Sequence, residues 1–162
     1  MVTVKGFTLL EVILVITIIG ILAAIIYPSY QESVRKVKRT EAQAEMINIA
    51  KRLQRYRVAN FSYLTDTVAE DEDGEEIETE KAIQLSDIQH TGSLPQHGEA
   101  LYSLELIITG RTSWFLRAIP ETNTIMSNNG QVCLNHKGYK YWKKGANCSA
   151  NDLTMSSNWD GR

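Results

Sequence analysis

An apolar run that decides the fold opens with Gly6-Phe7-Thr8-Leu9-Leu10-Glu11-Val12 and continues to Tyr27. Glu11 is the only charged residue between Phe7 and Tyr27. About 20 apolar residues, each rising roughly 1.5 Å along a helix, span the roughly 30 Å hydrocarbon core of a membrane. A secretory signal peptide has a shorter apolar region and is cleaved behind it, whereas here the candidate processing site follows Gly6, in front of the run. The run therefore predicts a membrane-spanning helix that stays on the mature chain.

Glu11 makes this run more than an anchor. A carboxylate inside a bilayer costs about 2.5–3.5 kcal/mol on insertion scales, so an ionisable residue there is a functional candidate. Glu11 either lies close enough to the end of the segment to reach the lipid headgroups or pairs with a cation inside an assembly. A free α-amine on Phe7 of a neighbouring subunit would be such a cation.

The string Lys5-Gly6-Phe7-Thr8-Leu9-Leu10-Glu11-Val12, followed by ILVITIIGILAAIIYPSY, resembles the class III signal and stalk of a type IVa pilin. The resemblance implies that residues 1–6 are a leader that prepilin peptidase removes after Gly6. It also implies N-methylation of Phe7 and a role for Glu11 in docking into the filament. Pseudopilins of type II secretion share the motif, so it identifies the superfamily.

Residues 7–30 form the predicted transmembrane and filament-core helix. Gly20 and Pro28 weaken a helix, so we expect a kink near Pro28, which we include with Glu11 among the assembly residues. Residues 31–58 continue as an amphipathic half, because apolar residues recur there at helical spacing: Ala42, Met46, Ile49, Leu53 and Tyr56. Residues 39–56 resemble the corresponding helix of minor pilins of the PilE group.

Charge gives two pieces of information. The net charge is −2, so no overall electrostatic pattern points to nucleic acid. Near the span, basic residues favour the C-terminal side: Lys5 precedes the run, whereas Arg35, Lys36, Lys38 and Arg39 follow it. The positive-inside rule alone would place the C-terminal part in the cytoplasm. The pilin resemblance and the cysteine pair described below favour the periplasm instead.

Residues 59–100 are interpreted as a connecting region, and residues 70–80 within it read EDEDGEEIETE. So many carboxylates are typical of a solvated, mobile loop. Asp71, Asp73, Gly74 and Glu80 match positions of a calcium-binding EF-hand loop, but Ala69 occupies the first ligand position. We therefore predict no metal site.

Residues 101–162 carry the β pattern. Leu104, Leu106 and Ile108 alternate with other residues before a short turn at Gly110-Arg111, and residues 114–118 supply a partner strand. Further strands are predicted at residues 131–135 and 139–142. The predicted fold is α+β: a long N-terminal helix packed on an antiparallel sheet of three or four strands, as in the type IV pilin fold.

The two cysteines, Cys133 and Cys148, have 14 residues between them. No CxxC or histidine-rich spacing supports a catalytic or metal-bound thiol. In a domain outside the inner membrane a disulfide is the natural interpretation, worth about 3 kcal/mol for a loop of about 15 residues. The C-terminal region is therefore expected to be bounded by this bond.

The segment between the cysteines reads CLNHKGYKYWKKGANC and interleaves lysines with aromatic residues. In one interpretation the lysines bind phosphates and the rings stack on bases. In the other, the aromatic side chains pack inward and the lysines are solvated. The first makes four lysines candidate nucleic-acid contacts, and some pilins serve as DNA receptors in natural transformation: Lys137, Lys140, Lys143 and Lys144.

The sequence shows no arrangement of residues that is typical of an enzyme active site. His90, His97 and His136 are scattered, and no nucleophilic triad or phosphate-binding glycine loop is present. We predict no catalytic residues, no cofactor and no small-molecule substrate.

The resemblance implies a structural subunit of the type IV pilus, most like a PilE-group minor pilin that primes filament assembly for motility, adhesion or DNA uptake. A DNA-receptor pilin and a secretion pseudopilin are the alternatives. Implied partners are the major pilin, other minor pilins, prepilin peptidase, the inner-membrane assembly platform and a tip adhesin. The head would lie in the periplasm before assembly and on the surface pilus afterwards.

Overall fold

The computed structural model describes residues 8–70 and 76–161. The predicted processing residues Gly6 and Phe7 lie outside the described residues, as do residues 71–75 of the acidic segment. The chain divides into two compact units, Met1–Val37 and Lys38–Arg162. One helix, α1, spans Leu9–Asn60 and contributes to both units.

In the first unit, Thr8 caps α1: its hydroxyl oxygen accepts a hydrogen bond from the Glu11 N–H at 3.3 Å. α1 remains helical through Gly20 and Pro28, so neither residue interrupts it, and a kink at Pro28 stays a prediction. None of residues 8–37 is buried. Within the described part of the chain, α1 is the one helix long and apolar enough, by length and composition, to cross a membrane.

The second unit has its own core, which includes every buried residue of the described chain. The amphipathic prediction for α1 is confirmed there, because four residues of the stripe are at most 3% exposed: Ala42, Met46, Ile49 and Leu53. Arg39 is also buried at the start of this unit.

The main sheet has five antiparallel strands in sequence order. They are β3 (Ser93–Leu94), β4 (Tyr102–Gly110), β5 (Ser113–Pro120), β6 (Val132–Asn135) and β7 (Lys140–Trp142), numbered after two earlier strands described below. Strands β4 to β7 correspond to the four predicted strands, and the two-residue β3 adds a fifth at the edge. Short 3₁₀ helices lie at Leu85–Ile88 and Ala150–Asp152.

The region interpreted as a connecting loop contains a separate two-stranded sheet, so residues 76–80 form part of a strand and the prediction of a loop is wrong for them. Strand β1 (Leu64–Glu70) pairs antiparallel with β2 (Glu76–Ala82). Threonines hold the strands together across the pair, with the Thr67 and Thr79 hydroxyl oxygens 3.0 Å apart. Cross-strand hydroxyl pairs of this kind favour a strand over a loop.

Side chains of the main sheet alternate between two clusters. Leu116, Ala118, Val132 and Leu134 pack with the buried stripe of α1. Phe115 and Cys133 face the other side, where they pack with Cys148 and Leu153. Cys133 and Cys148 form the predicted disulfide, with Cα atoms 6.5 Å apart. The helix, the antiparallel sheet and the disulfide-bounded C-terminal region confirm the α+β type IV pilin fold.

Candidate nucleic-acid interface

The turn between β6 and β7 presents Lys137. The Asn135 side-chain oxygen accepts hydrogen bonds from the backbone N–H groups of Lys137 and Tyr139, each at 3.0 Å. Gly138 completes the turn with φ of +80°, a conformation that glycine adopts without strain. The turn is therefore fixed locally, and Lys137 is exposed at its tip.

Strand β7 places alternate side chains on opposite sides. Trp142 is buried in the core with α1: its indole N–H donates to the Asn129 carbonyl oxygen at 3.0 Å, and the Arg39 guanidinium carbon lies 3.5 Å from its ring centroid. Lys140, two residues earlier, is half-buried on the same side. Tyr139 and Tyr141 are half-buried and pack against the second cluster. The aromatic residues are therefore packed inward, and the lysines remain available to solvent.

A groove of about 350 Å³ lies between α1 and the β6–β7 turn. Lys51 and Gln54 line it from the helix, and Trp114 forms part of its wall. The basic side chains of this groove, hereafter the basic groove, are Lys51, His136, Lys137 and Lys140. No carboxylate is among the described residues that line it.

The basic surface continues along α1 beyond the basic groove. Lys51 and Gln54 also line a shallower depression with Arg55 and Val58. Arg52, on the next face, is held in place because its guanidinium donates to the carbonyl oxygens of Ile88 and Gln89 at 3.3 and 3.0 Å.

The other two predicted lysines lie apart from the basic groove. Lys143 and Lys144 follow β7 and are exposed, but neither lines the groove in the described structure. At about 3.3 Å per residue, Lys143 lies about 10 Å along the chain from Lys140. Gly130 fixes this segment, since a Cβ there would lie 2.1 Å from the Lys143 carbonyl oxygen. The structure thus brings Lys137 and Lys140 together and leaves the second pair outside.

Charge in the basic groove is not neutralised locally. Among the side chains that the structure describes, which exclude those of residues 69–78, no carboxylate oxygen lies within 4 Å of the charged nitrogen of Lys51, Lys137 or Lys140. The Lys140 ammonium lies 5.0 Å from the centroid of the Trp159 ring, a cation–π contact that orients it without removing its charge. Clustered cations on a fixed turn and helix are suited to binding phosphate groups.

Sequence reasoning missed Lys51, Arg55 and His136. The sequence did indicate that basic residues of α1 lie outside its apolar stripe and are therefore exposed. That they lie close to the β6–β7 turn depends on tertiary packing, which the sequence pattern does not show. Among the described residues no group of three His, Cys, Asp or Glu side chains could hold a metal ion. Glu11 lies exposed in the first turn of α1 and Pro28 within the same helix, and their assembly roles stay predictions.

Two protein-family models match the chain. The prokaryotic N-terminal methylation motif matches residues 1–27. The model described as type IV minor pilin ComP, DNA uptake sequence receptor, matches residues 28–137. The second match includes most of the basic groove.

Individual relatives match over shorter stretches. The chain is 40% identical over 59 residues to the type II secretion system core protein G of Pseudomonas aeruginosa, covering 36% of this chain and 42% of that protein. It is 52% identical over 42 residues to the type IV major alpha-pilin of Moraxella bovis, covering 26% of each. It is 58% identical over 38 residues to the fimbrial protein EcpC of Eikenella corrodens, covering 24% of this chain and 25% of that protein.

The chain therefore spans less than half the length of these curated relatives. No solved structure matches it significantly. The family models are the broader evidence, because together they extend from residue 1 to residue 137. Since the second model covers more than half of the chain, the protein belongs to the family of type IV minor pilins of the ComP type, described as DNA uptake sequence receptors.

Proposed function

We propose that this minor pilin is a receptor for duplex DNA and that the DNA lies across the basic groove. The observation that carries the proposal is the convergence of the Lys51, Lys137 and Lys140 ammonium groups on one groove without a carboxylate in its described lining. Cations arranged in this way release counterions from the DNA backbone when they bind it, which is the main source of sequence-independent affinity. The family description supports the same function.

The placement of the aromatic rings favours a duplex over a single strand. Proteins that bind single strands generally stack the bases on open aromatic rings. Here Trp142 is buried, and Tyr139 and Tyr141 are half-buried in the second cluster. Contacts would therefore be made mainly to phosphates, with the rigid β6–β7 turn setting the position of the lysines.

Recognition of a particular DNA sequence requires a side chain that reaches the edges of the bases. Gln54 lines the basic groove from α1, three residues after Lys51. A glutamine amide can donate to and accept from adenine in the major groove, which makes Gln54 the candidate for base recognition. The Asn135 amide oxygen is already used by the turn, so Asn135 is less suited to this role.

A salt titration of DNA binding tests the proposal. The full-length chain in detergent is titrated against a fluorescent duplex of random sequence between about 50 and 200 mM salt. The logarithm of the binding constant falls linearly with the logarithm of the salt concentration, and each phosphate contact adds about 0.9 to the steepness of that fall. The triple variant Lys51→Ala/Lys137→Ala/Lys140→Ala should therefore make the slope shallower by about 2.7. Lys81→Ala, which removes an exposed lysine outside the basic groove, should leave the slope almost unchanged. Failure of the wild-type chain to bind at low salt, or an unaltered slope in the triple variant, would overturn the proposal.

The apolar part of α1 and the methylation-motif match support a path from inner-membrane prepilin to pilus. On this path prepilin peptidase would cleave after Gly6, Phe7 would be methylated, and Glu11 would pair with the amine of a neighbouring subunit. The assembly platform, the major pilin and other minor pilins would be partners. A PilE-type priming role and a tip adhesin have less support than DNA reception, because the match at residues 28–137 is to the ComP type.

A further inference from the structure

The end of α1 exposes a large aromatic ring. Phe61, the residue after the helix, is 85% exposed, and Val58, one helical turn earlier, is 77% exposed. The two residues that follow are buried instead, since Ser62 is 8% exposed and Tyr63 is 1% exposed. The chain thus buries a serine and leaves the adjacent phenylalanine in water, the reverse of what the hydrophobic effect favours. Folding alone therefore does not explain the position of Phe61.

The backbone conformation of Phe61 is also unfavourable for this residue. Its φ is +60°, in the left-handed region that bulky side chains rarely adopt. The Phe61 N–H donates to the Arg57 carbonyl oxygen at 2.7 Å, so the residue directly continues the hydrogen bonds of the helix. Glycine is the usual residue in this conformation after a helix. Residues kept in strained conformations cluster at functional sites, which makes this exposed phenylalanine a functional candidate.

Hydrogen bonds of Tyr63 fix Phe61 relative to the basic groove. The Tyr63 N–H donates to the Arg111 carbonyl oxygen at 2.8 Å. The Tyr63 hydroxyl accepts a hydrogen bond from the Trp114 indole N–H at 3.3 Å, and Trp114 forms part of the wall of the groove. With α1 on one side and this anchor on the other, Phe61 has a fixed place beside the groove.

Phe61 continues the face of α1 that lines the basic groove. Lys51, Gln54, Val58 and Phe61 follow one another at steps of three, four and three residues, a spacing that brings them to one face of a helix. Lys51 and Gln54 line the groove and also, with Arg55 and Val58, the depression that continues from it. At about 1.5 Å per residue, Phe61 lies about 10 Å beyond Gln54 along the helix axis, close to the width of one DNA groove. A duplex seated in the groove therefore passes within reach of the ring.

The charges next to Phe61 favour DNA as the partner of its ring. Arg55 and Arg57 are exposed, and among the described side chains no carboxylate oxygen lies within 4 Å of either guanidinium. An apolar ring beside unpaired cations matches a molecule with anionic groups outside and an apolar stack inside. Duplex DNA has this arrangement, with phosphates outside and stacked bases between them.

We propose that Phe61 is a wedge that inserts between two base pairs of the DNA in the basic groove and bends the duplex. The inference rests on the proposed function and adds to it a contact that the lysines do not make. Phenylalanine wedges enter from the minor groove, partly unstack one base step and kink the duplex by about 20–90°. With Gln54 in the major groove, Phe61 would reach the minor groove across one DNA strand. The kink forms most easily at flexible TA and CA steps, so the wedge also favours binding sites that contain one.

Replacement of Phe61 tests this inference. The full-length chain in detergent is titrated against a short duplex rich in TA steps that carries a donor dye at one end and an acceptor dye at the other. Phe61→Ala should lower the affinity about tenfold at every salt concentration without changing the salt slope, because an apolar contact releases no counterions. Energy transfer between the dyes should rise when the wild type binds and stay near the value of free DNA with saturating Phe61→Ala. Phe61→Leu keeps an apolar wedge and should retain most of the bend.

Two further variants separate DNA binding from folding. Phe61→Gly suits the positive φ, so its urea midpoint should equal or exceed that of the wild type while its DNA affinity falls as it does for Phe61→Ala. Met155→Ala is the matched control, because Met155 is 86% exposed. It lies two residues after Leu153 of the second cluster, on the side of the sheet away from the buried stripe of α1. This control should change neither the affinity nor the bend.

The outcomes separate the two proposals. If the triple lysine variant loses salt slope but Phe61→Ala binds and bends DNA like the wild type, the wedge is overturned and the receptor function stands. A shallower salt slope for Phe61→Ala would show lost phosphate contacts and would also overturn the wedge. So would normal DNA binding and bending by Phe61→Ala together with its absence from sheared pili, which would identify the ring as a contact between pilins. If no form of the chain binds DNA at low salt, the receptor function fails and the wedge fails with it.

Discussion

Asn129 fixes the strand that carries Lys140 to the rest of the head, and its replacement should destabilise the protein. It is 1% exposed, and its side-chain oxygen accepts a hydrogen bond from the Arg39 guanidinium at 3.0 Å. Its side-chain N–H₂ donates to the Tyr102 hydroxyl at 3.4 Å. Its backbone carbonyl oxygen accepts from the Trp142 indole. Asn129 therefore links α1, β4 and β7.

Asn129→Leu keeps the approximate volume of the side chain and removes its hydrogen bonds. A hydrogen bond to a charged group contributes about 1.5–3 kcal/mol, and the longer bond to Tyr102 adds little. Burial raises the pKa of Tyr102 to about 12, so its hydroxyl stays protonated and has no charge to be stabilised. The bond from Trp142 survives because it is made to the backbone. We expect the free energy of unfolding to fall by about 2–3 kcal/mol.

Urea unfolding measures this loss. A fragment of residues 29–162 is suitable, because every buried residue of the described chain lies at or beyond Arg39. Tryptophan fluorescence reports on Trp142, whose ring contacts the Arg39 guanidinium. With a slope of about 1–3 kcal/mol per molar urea, the midpoint of Asn129→Leu should fall by about 0.7–3 M. Asn129→Asp, which keeps an acceptor for Arg39, should lose less than about 1 kcal/mol. A midpoint of Asn129→Leu within about 0.3 M of wild type would refute the reasoning.

Three further predictions concern other parts of the chain. Replacement of Cys133 and Cys148 by serine should lower the free energy of unfolding by about 3 kcal/mol, and an unchanged urea midpoint would count against it. Burial lowers the pKa of His90, against the opposing effect of Glu45, so the unfolded chain takes up a proton first as the pH falls. Stability should therefore decline below about pH 6.5, by up to about 1.4 kcal/mol per pH unit, and His90→Gln should flatten this decline in urea midpoints. Glu11→Ala should leave processing intact but block incorporation into sheared pili, and normal incorporation of the variant would contradict the pairing model.

The sequence predicted the elements whose pattern is local. The stripe from Ala42 to Leu53 has helical spacing, and the structure buries it. The alternation of residues 104–108 with the turn after them predicted β4 and β5, and the isolated cysteine pair predicted the disulfide. In each case the residues that decide the structure lie within a short stretch or have one available partner.

The hairpin formed by β1 and β2 could not be predicted in this way. Its composition is typical of a solvated loop, and two of its cross-strand Cα pairs, Asp66 with Glu80 and Glu70 with Glu76, join two acidic residues, a combination that does not favour strand pairing. What favours the strands is the threonine pairing and Arg111, which lies 31 residues beyond Glu80. An ion pair across that distance depends on how the hairpin meets the β4–β5 turn, which no local pattern indicates.

The candidate site was predicted only in part. Lys137 and Lys140 were identified from their own segment, whereas Lys51 lies in α1, far away in the sequence. Its place opposite the turn follows from the packing of the sheet on the helix. The same packing buries Trp142 and holds the partly buried tyrosines against the second cluster, which leaves less of these rings open for stacking on bases.

Photocrosslinking tests the central claim, that duplex DNA lies in the basic groove, most directly. A photoreactive amino acid is placed in the full-length chain at Gln54, within the groove, or at Glu99, beyond the far end of the sheet. After irradiation with a labelled duplex, the predicted result is a covalent protein–DNA adduct from position 54 and little or none from position 99. Equal adducts from both positions, or an adduct from position 99 alone, would contradict it.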